Sequence, residues 1–213
     1  MADEKILSYN DVVLRRSDLD ILSGPKFLND RIIEFYISFL SSGFPSQDIL
    51  LVPPSISFWM ANCPDPESLK DFVEPLKFPE RKVVLFSVNN NMDVTMAEGG
   101  THWSLLVYER SANAFVHHDS IAGFNNRHAK RLYKAVVGFM GFSSSTSNLQ
   151  FIEYVDTPQQ VNCYDCGLYV IAIAKLICHW HENGRSKSEA GLWFSELKEE
   201  VEPSLVSGMR TRF

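Results

Sequence analysis

The sequence predicts an α+β fold, and three observations carry that expectation. Helical periodicity dominates the first eighty residues, strand-like apolar runs cluster after residue 82, and one long apolar run, Leu168–Cys178, holds a single charge at Lys175. A helix that is hydrophobic on nearly every side must have other elements packed around it, so this run is expected to be the central helix. No internal repeat or linker interrupts the chain. We therefore read one domain over residues 1–213, with a helical part at about 1–80 and a sheet part at about 81–213.

Residues 1–28 mix short apolar pairs with turn signals, the pattern of an extended arm with one helical turn near Ser17–Leu22. Asn29 or Asp30 can cap a helix in which Ile32, Ile33, Phe35, Tyr36, Phe39 and Leu40 recur at helical spacing, and Gly43 ends it. Ile49–Val52 is a short strand stopped by Pro53-Pro54, after which Ser55–Cys63 and Glu67–Val73 can each form a short helix. Val83–Val88 is a buried strand by its branched apolar run, and Asn89–Gly100 is expected to be a polar, mobile loop. His102–Glu109 and Ala114–Asp119 pair as a hairpin around Arg110–Asn113. Asn125–Phe142 carries Ala129, Leu132, Tyr133, Val136, Val137 and Met140 on one face, an amphipathic helix. The serine-rich Ser143–Asn148 reads as a loop, Leu149–Val155 as a strand and Asp156–Asp165 as a turn into the central helix. Beyond that helix, His179–Ser186 is polar, Ser188–Val201 is helical with Leu192, Trp193 and Leu197 inward, and Pro203 opens a short terminal helix.

Composition narrows the class. With 45% hydrophobic and 12% aromatic residues the chain can bury a substantial core. No apolar run approaches a membrane span, and the opening MADEKILSYN lacks the apolar stretch of a signal peptide, so an intracellular protein, cytoplasmic or nuclear, is expected. Cysteines at 63, 163, 166 and 178 follow no disulfide framework and read as free thiols. A net charge of −6 argues against nucleic acid and mildly favours a basic partner.

Cys166 falls at the mouth of the central helix, where unpaired backbone N–H groups and the positive end of the helix dipole favour a thiolate. Gly167 beside it would let a substrate backbone approach. The same residues also read as a small buried cysteine on a core helix. A thiolate enzyme needs a histidine to accept and return a proton and a carboxylate to hold that ring. In a hairpin centred on Ser111-Ala112, residue 104 lies opposite 119, which places His102 and Asp119 at one end and on one face. A one-residue slip would separate them. Gln160, or Gln159, in the loop before Cys166 offers an amide for a developing oxyanion alongside the Cys166 N–H.

Two rival readings use the same cysteines. Cys163-Tyr-Asp-Cys166 matches the C-x-x-C of a thiol redox site, but no β-α-β pattern precedes it. His179 and His181 follow at too close a spacing for a zinc finger, on a helix that is core-like. His117 and His118 precede Asp119, and one of them is expected to point outward.

Taken together, Gly99-Gly100-Thr101-His102-Trp103-Ser104-Leu105-Leu106-Val107, His118-Asp119-Ser120 and Gln159-Gln160-Val161-Asn162 with Asp165-Cys166-Gly167 resemble the ubiquitin-like-protein-specific cysteine proteases of the sentrin/Ulp type. The resemblance spans Asn29 to about Cys178 and looks closest to the deneddylase branch, which acts on the Nedd/Rub-type modifier. It implies a papain-like fold, with Cys166 as nucleophile, His102 as base, Asp119 as its orienter and Gln160 as oxyanion donor. It further implies that Trp103 roofs a tunnel for the modifier's Gly-Gly tail, with Phe27 on the opposite wall and Asp30 near the tail. The family has Trp-Leu-Asn-Asp where this chain has Phe27-Leu28-Asn29-Asp30. The activity implied is cleavage after Gly-Gly, both from lysine conjugates and from the precursor, by a monomer with no cofactor, metal, nucleic acid or membrane partner. A sentrin-type preference and a modifier-binding module without activity are the alternatives.

Overall fold

The computed structural model describes residues 3–96, 99–141, 149–183, 194 and 196–212. An amino-terminal hairpin, Lys5–Tyr9 (β1) and Val12–Arg15 (β2), precedes a five-stranded sheet. The sheet comprises Ile49–Val52 (β3), Val83–Asn89 (β4), Trp103–Glu109 (β5), Ala114–His118 (β6) and Gln150–Glu153 (β7), in the spatial order β3-β4-β5-β6-β7. The pairs β4–β5 and β5–β6 are antiparallel, whereas β3–β4 and β6–β7 are parallel. The helices are Arg16–Leu22 (α1), Asp30–Gly43 (α2), Pro54–Asn62 (α3), Pro66–Val73 (α4), Asn126–Val136 (α5), Cys166–Glu182 (α6), Leu197–Glu200 (α7) and Pro203–Ser207 (α8). Among the described residues no helix is long and apolar enough to cross a membrane.

Strands that are apolar at successive positions are what a sheet covered on both faces requires. Leu85, Leu105, Val107 and Val116 pack towards α2 and α6, while Val84, Phe86, Leu106, Tyr108 and Phe115 pack towards α3, α4 and α5. Eleven residues of α6 are buried, among them Leu168, Ile171, Ile173 and Ile177. Each such aliphatic side chain contributes on the order of 1.5–3 kcal/mol by leaving water, which makes α6 the most heavily buried helix and the anchor of one layer.

The extended arm expected at residues 1–28 is instead the β1–β2 hairpin. Asn10 closes it at φ 49°, a left-handed turn residue, and β1 is exposed along its length, so no alternation in the sequence announces it. The part expected to be helical therefore also supplies β1, β2 and β3. Asn29 caps α2, accepting a bond from the Ile32 N–H at 3.0 Å, and Asp30 is the first helical residue. Phe39 lies outside the core and rests near the Tyr9 ring of the hairpin, with centroids 6.0 Å apart. α5 ends at Val136 and tightens into a 3-10 turn, Val137–Phe139. α6 runs on through His179–Glu182 because Trp180 is buried there. Only Gln150–Glu153 of the expected Leu149–Val155 strand pairs. Leu192 and Trp193, like Ser143–Asn148, lie outside the described residues.

Candidate active site

The site is built where the first turn of α6 meets the open end of the β5–β6 hairpin, opposite its turn. Cys166 opens α6 and is wholly buried. Asp165 before it is buried too, and its carboxylate accepts bonds from Asn162 Nδ2 at 2.8 Å, Ser207 Oγ at 2.7 Å and Arg210 Nε at 2.9 Å. Burial opposes ionisation of Asp165, but these donors and the Arg210 charge outweigh it and hold the carboxyl below its ordinary range. The rest of the Arg210 guanidinium bonds the carbonyls of Ile21 and Gly24 at 3.1 Å each, Lys26 at 2.8 Å and Tyr164 at 3.2 Å. Gly167 has a different role from the one expected: a Cβ there would stand 2.9 Å from Leu28 Cβ, so the space beside it belongs to Leu28 and not to a ligand.

The hairpin register is Leu105 opposite His118, which sets Ser104 against Asp119 as expected. His102 Nε2 lies 2.6 Å from Asp119 Oδ1, with both side chains buried. Asp119 is fixed in turn by the backbone N–H groups of Ile121 at 3.0 Å and Asn125 at 2.7 Å. The Asn125 side chain donates to the carbonyls of Val88 and His102 at 3.2 and 3.3 Å, so one residue braces both members of the pair. Burial would lower the pKa of His102, but its bonds to Asp119 and to the Cys166 thiol, with the charges of both, raise it to about 9. An imidazolium at neutral pH beside Cys166 is the counter-ion a thiolate needs.

The loop preceding α6 is zipped to the turn after β6. The Gln160 N–H donates to Ser120 C=O at 3.0 Å, Ser120 Oγ donates to Gln160 Oε1 at 2.7 Å, and Gln160 Nε2 donates to Asn162 C=O at 2.5 Å. Gln159 Nε2 donates to the carbonyls of Asp119 at 3.0 Å and Thr157 at 2.8 Å, while its Oε1 accepts from Ala122 N–H at 2.9 Å. Both hydrogens of the Gln159 amide are thus engaged within the fold, whereas among the described residues only one of those of Gln160 is.

Phe27, Asp30 and Trp103 share one groove of about 820 Å³ that also takes in Leu28, Trp59 and Met96. Its lining includes Thr101 and Trp103, on either side of His102 in the chain. Trp103 is anchored by an Nε1–H bond to Leu28 C=O at 2.8 Å, whereas Phe27 is 43% exposed. In the described part of the Asn89–Gly100 loop the polar side chains are turned on the loop itself. Asn91 and Asp93 build it from side-chain-to-backbone bonds, and Asn90 Oδ1 accepts the N–H groups of Thr101 at 2.7 Å and His102 at 3.1 Å. Three large apolar side chains, Met92, Val94 and Met96, are exposed along it among the polar Asp93 and Thr95.

Neither His117 nor His118 points outward. His117 bonds Glu153 through Nδ1 at 2.8 Å and Ser104 through Nε2 at 2.8 Å. His118, on the other face, lies against Tyr154 and Phe194, and burial drives its pKa down to about 3. Oxygens and nitrogens of His117, Asp119 and Glu153 lie within 4.8 Å of one another, a grouping that could hold a metal ion, but each is already engaged by the partners just named. Of the other cysteines, Cys163 is exposed and Cys178 is buried with its thiol pushed up to about 12. The sequence reasoning missed Ser120, Asn125, Ser207 and Arg210. Ser120 had a signal in its place beside Asp119; Ser207 and Arg210, more than forty residues beyond Cys166, had none.

A helix-borne thiol facing a carboxylate-held histidine, on a mixed sheet covered on both faces, defines a cysteine peptidase. Residues 26–200 match the model of the Ulp1 protease family, C-terminal catalytic domain, and the chain belongs to that family. It is 55% identical to the NEDD8-specific protease 1 of Arabidopsis thaliana over 98% of this chain and 90% of that one. It is 38% identical to the human sentrin-specific protease 8 over 83% of this chain and 82% of that one. The yeast Ulp1 protease domain in complex with Smt3, the yeast orthologue of SUMO, shares the fold at a TM-score of 0.62 and 16% identity, covering 100% of this chain and 89% of that one.

Proposed function

We propose that the protein cleaves after the C-terminal Gly-Gly of a NEDD8-type modifier, removing it from lysines and trimming its precursor, as a monomeric intracellular enzyme working as one domain. The observation that carries this is the buried His102, paired with Asp119 at 2.6 Å and neighbouring the Cys166 thiol. The Cys166 thiolate attacks the carbonyl of the terminal glycine. The oxyanion is received by the Cys166 backbone N–H, unpaired in the first helical turn, and by the remaining Gln160 N–H. His102 gives its proton to the leaving amine, then takes one from the water that opens the thioester, so it ends as it began. Phe27, Trp103 and Leu28 form the slot for the tail, where a residue larger than glycine would clash, and Asp30 pairs with a basic residue before it. The preference for a NEDD8-type modifier is supported by the 55% identity over nearly the whole chain to a protease named for it.

The test is a panel of vinyl-sulfone probes and fluorophore conjugates made from NEDD8, SUMO and ubiquitin. We expect labelling at one thiol, Cys166, and kcat/KM highest for NEDD8. Higher rates on SUMO would move the specificity to the sentrin type, and no labelling by any probe would leave a binding module.

A further inference from the structure

We propose that Ser120 is a positioning residue for the oxyanion donor, holding the Gln160 amide with one N–H turned towards the reacting carbonyl. This rests on the reading of Gln160 as that donor. The two ends of the Gln160 amide face different neighbours. Asn162 C=O can only accept, so it must face the Gln160 Nε2 end, as the 2.5 Å contact shows. The Oε1 end is thereby set against Ser120, whose hydroxyl donates to it at 2.7 Å. The Ser120 carbonyl also accepts the Gln160 backbone N–H at 3.0 Å, so main chain and side chain are held by the same residue. One amide hydrogen is spent on Asn162 and the other remains.

Ser120 is itself buried, follows Asp119 directly, and sits in a turn that Gln159 clamps through Asp119 C=O and Ala122 N–H. Adjacent residues of one turn thus serve different catalytic groups: Asp119 aims the imidazole and Ser120 aims the amide. Charge develops on the substrate oxygen only in the transition state. A loosened Gln160 should therefore reduce kcat and leave binding of the modifier alone.

The experiment is a double-mutant cycle of wild type, Ser120→Ala, Gln160→Ala and the double variant, read as kcat and KM on a NEDD8–fluorophore conjugate. The rate of Cys166 alkylation by iodoacetamide is measured in parallel, since it needs the thiolate but no oxyanion donor. Ser120→Ala is expected to lower kcat roughly three- to tenfold, the weight of one hydrogen bond, with KM and alkylation near wild type. In the Gln160→Ala background it should cost nothing further, and Ser120→Thr, which keeps the hydroxyl, should recover much of the loss. An equal loss in both backgrounds, or slowed alkylation in Ser120→Ala, would overturn the proposal by making Ser120 merely structural or part of the histidine's support. A wild-type kcat in Gln160→Ala would instead remove the oxyanion reading of Gln160, and the proposal with it.

Discussion

The two sides of the site are made of different material. On the catalytic side, Cys166, His102, Asp119 and Asp165 are buried, and the carboxylates have their oxygens bonded to named donors. On the groove side, Phe27, Trp59, Met92, Val94 and Met96 leave large apolar surface in solvent. Exposed apolar surface of this kind marks a place where another macromolecule sits, whereas saturated buried polar groups fix a geometry. On the reading proposed above, the chemistry is set before substrate arrives and selection among substrates is left to the groove. Substitutions on the first side should act on kcat, and those on the second on KM and on preference.

The sharpest break of that contrast is at the thiols. Cys166→Ser should reduce hydrolysis of the modifier–fluorophore by at least about 10⁴-fold, while Cys163→Ser stays near wild type. Comparable losses in both would point to the C-x-x-C chemistry instead. Next is Asp119→Ala, expected to cost about 10²–10⁴-fold in kcat with circular dichroism unchanged. Its signature lies in the pH profile. The folded pKa of His102 is raised to about 9 from 6.5, so the imidazolium persists below pH 9 and is lost as the pH rises through it. The alkaline limb of kcat/KM should accordingly fall near pH 9 in the wild type and at lower pH in Asp119→Ala. Gln160→Ala should lower kcat by about 10²–10³, with Gln159→Ala as the comparison. Because the Gln159 side chain bonds backbone alone, that of Thr157 and of the Asp119–Ala122 turn, its loss should lower the melting temperature more than kcat.

On the groove side the effects shrink. Replacing Met92–Met96 by Gly-Ser should raise KM and narrow the ratio of kcat/KM between NEDD8 and SUMO conjugates, with iodoacetamide alkylation of Cys166 unchanged. Slower alkylation would mean that the loop supports His102 through Asn90 and not only the modifier. Phe27→Trp, at an exposed position, should be the mildest of the set, within about twofold in kcat/KM, as for most substitutions free of buried partners. A large change there would show that the slot is set to the width of a phenyl ring.

The same division governs how much could be read from the chain. His102, Asp119 and Cys166 stand at the ends of periodic elements, so the hairpin register and the apolar run of α6 led to them, whereas Gln160 lies in a loop where the residues left Gln159 as an alternative and only the family resemblance chose between them. The supports were harder to see. Asn125 works through a backbone N–H and a side-chain amide aimed at carbonyls of β4 and the start of β5, a contact with no spacing rule in the sequence. The β1–β2 hairpin was hidden because its strands are short and β1 is largely exposed, and the exposed Met92, Val94 and Met96 because they stand among polar residues whose side chains bond the loop's own backbone. Gly167 was read for a substrate and serves packing against Leu28.

Arg210 ties the end of the described chain to its beginning. Its guanidinium holds the carbonyls of Ile21, Gly24 and Lys26, just before the groove wall at Phe27, and the carboxylate next to Cys166. These contacts span up to 189 residues, the widest sequence separation among the hydrogen bonds described at the site. On the ribosome, a chain made only as far as the central helix already contains the thiol, the imidazole and both acids, yet lacks the cation that neutralises Asp165 and the clasp that seats the groove wall. One cation thus bears on both halves of the site: it holds the carboxylate beside the thiol and the segment that leads into the groove wall.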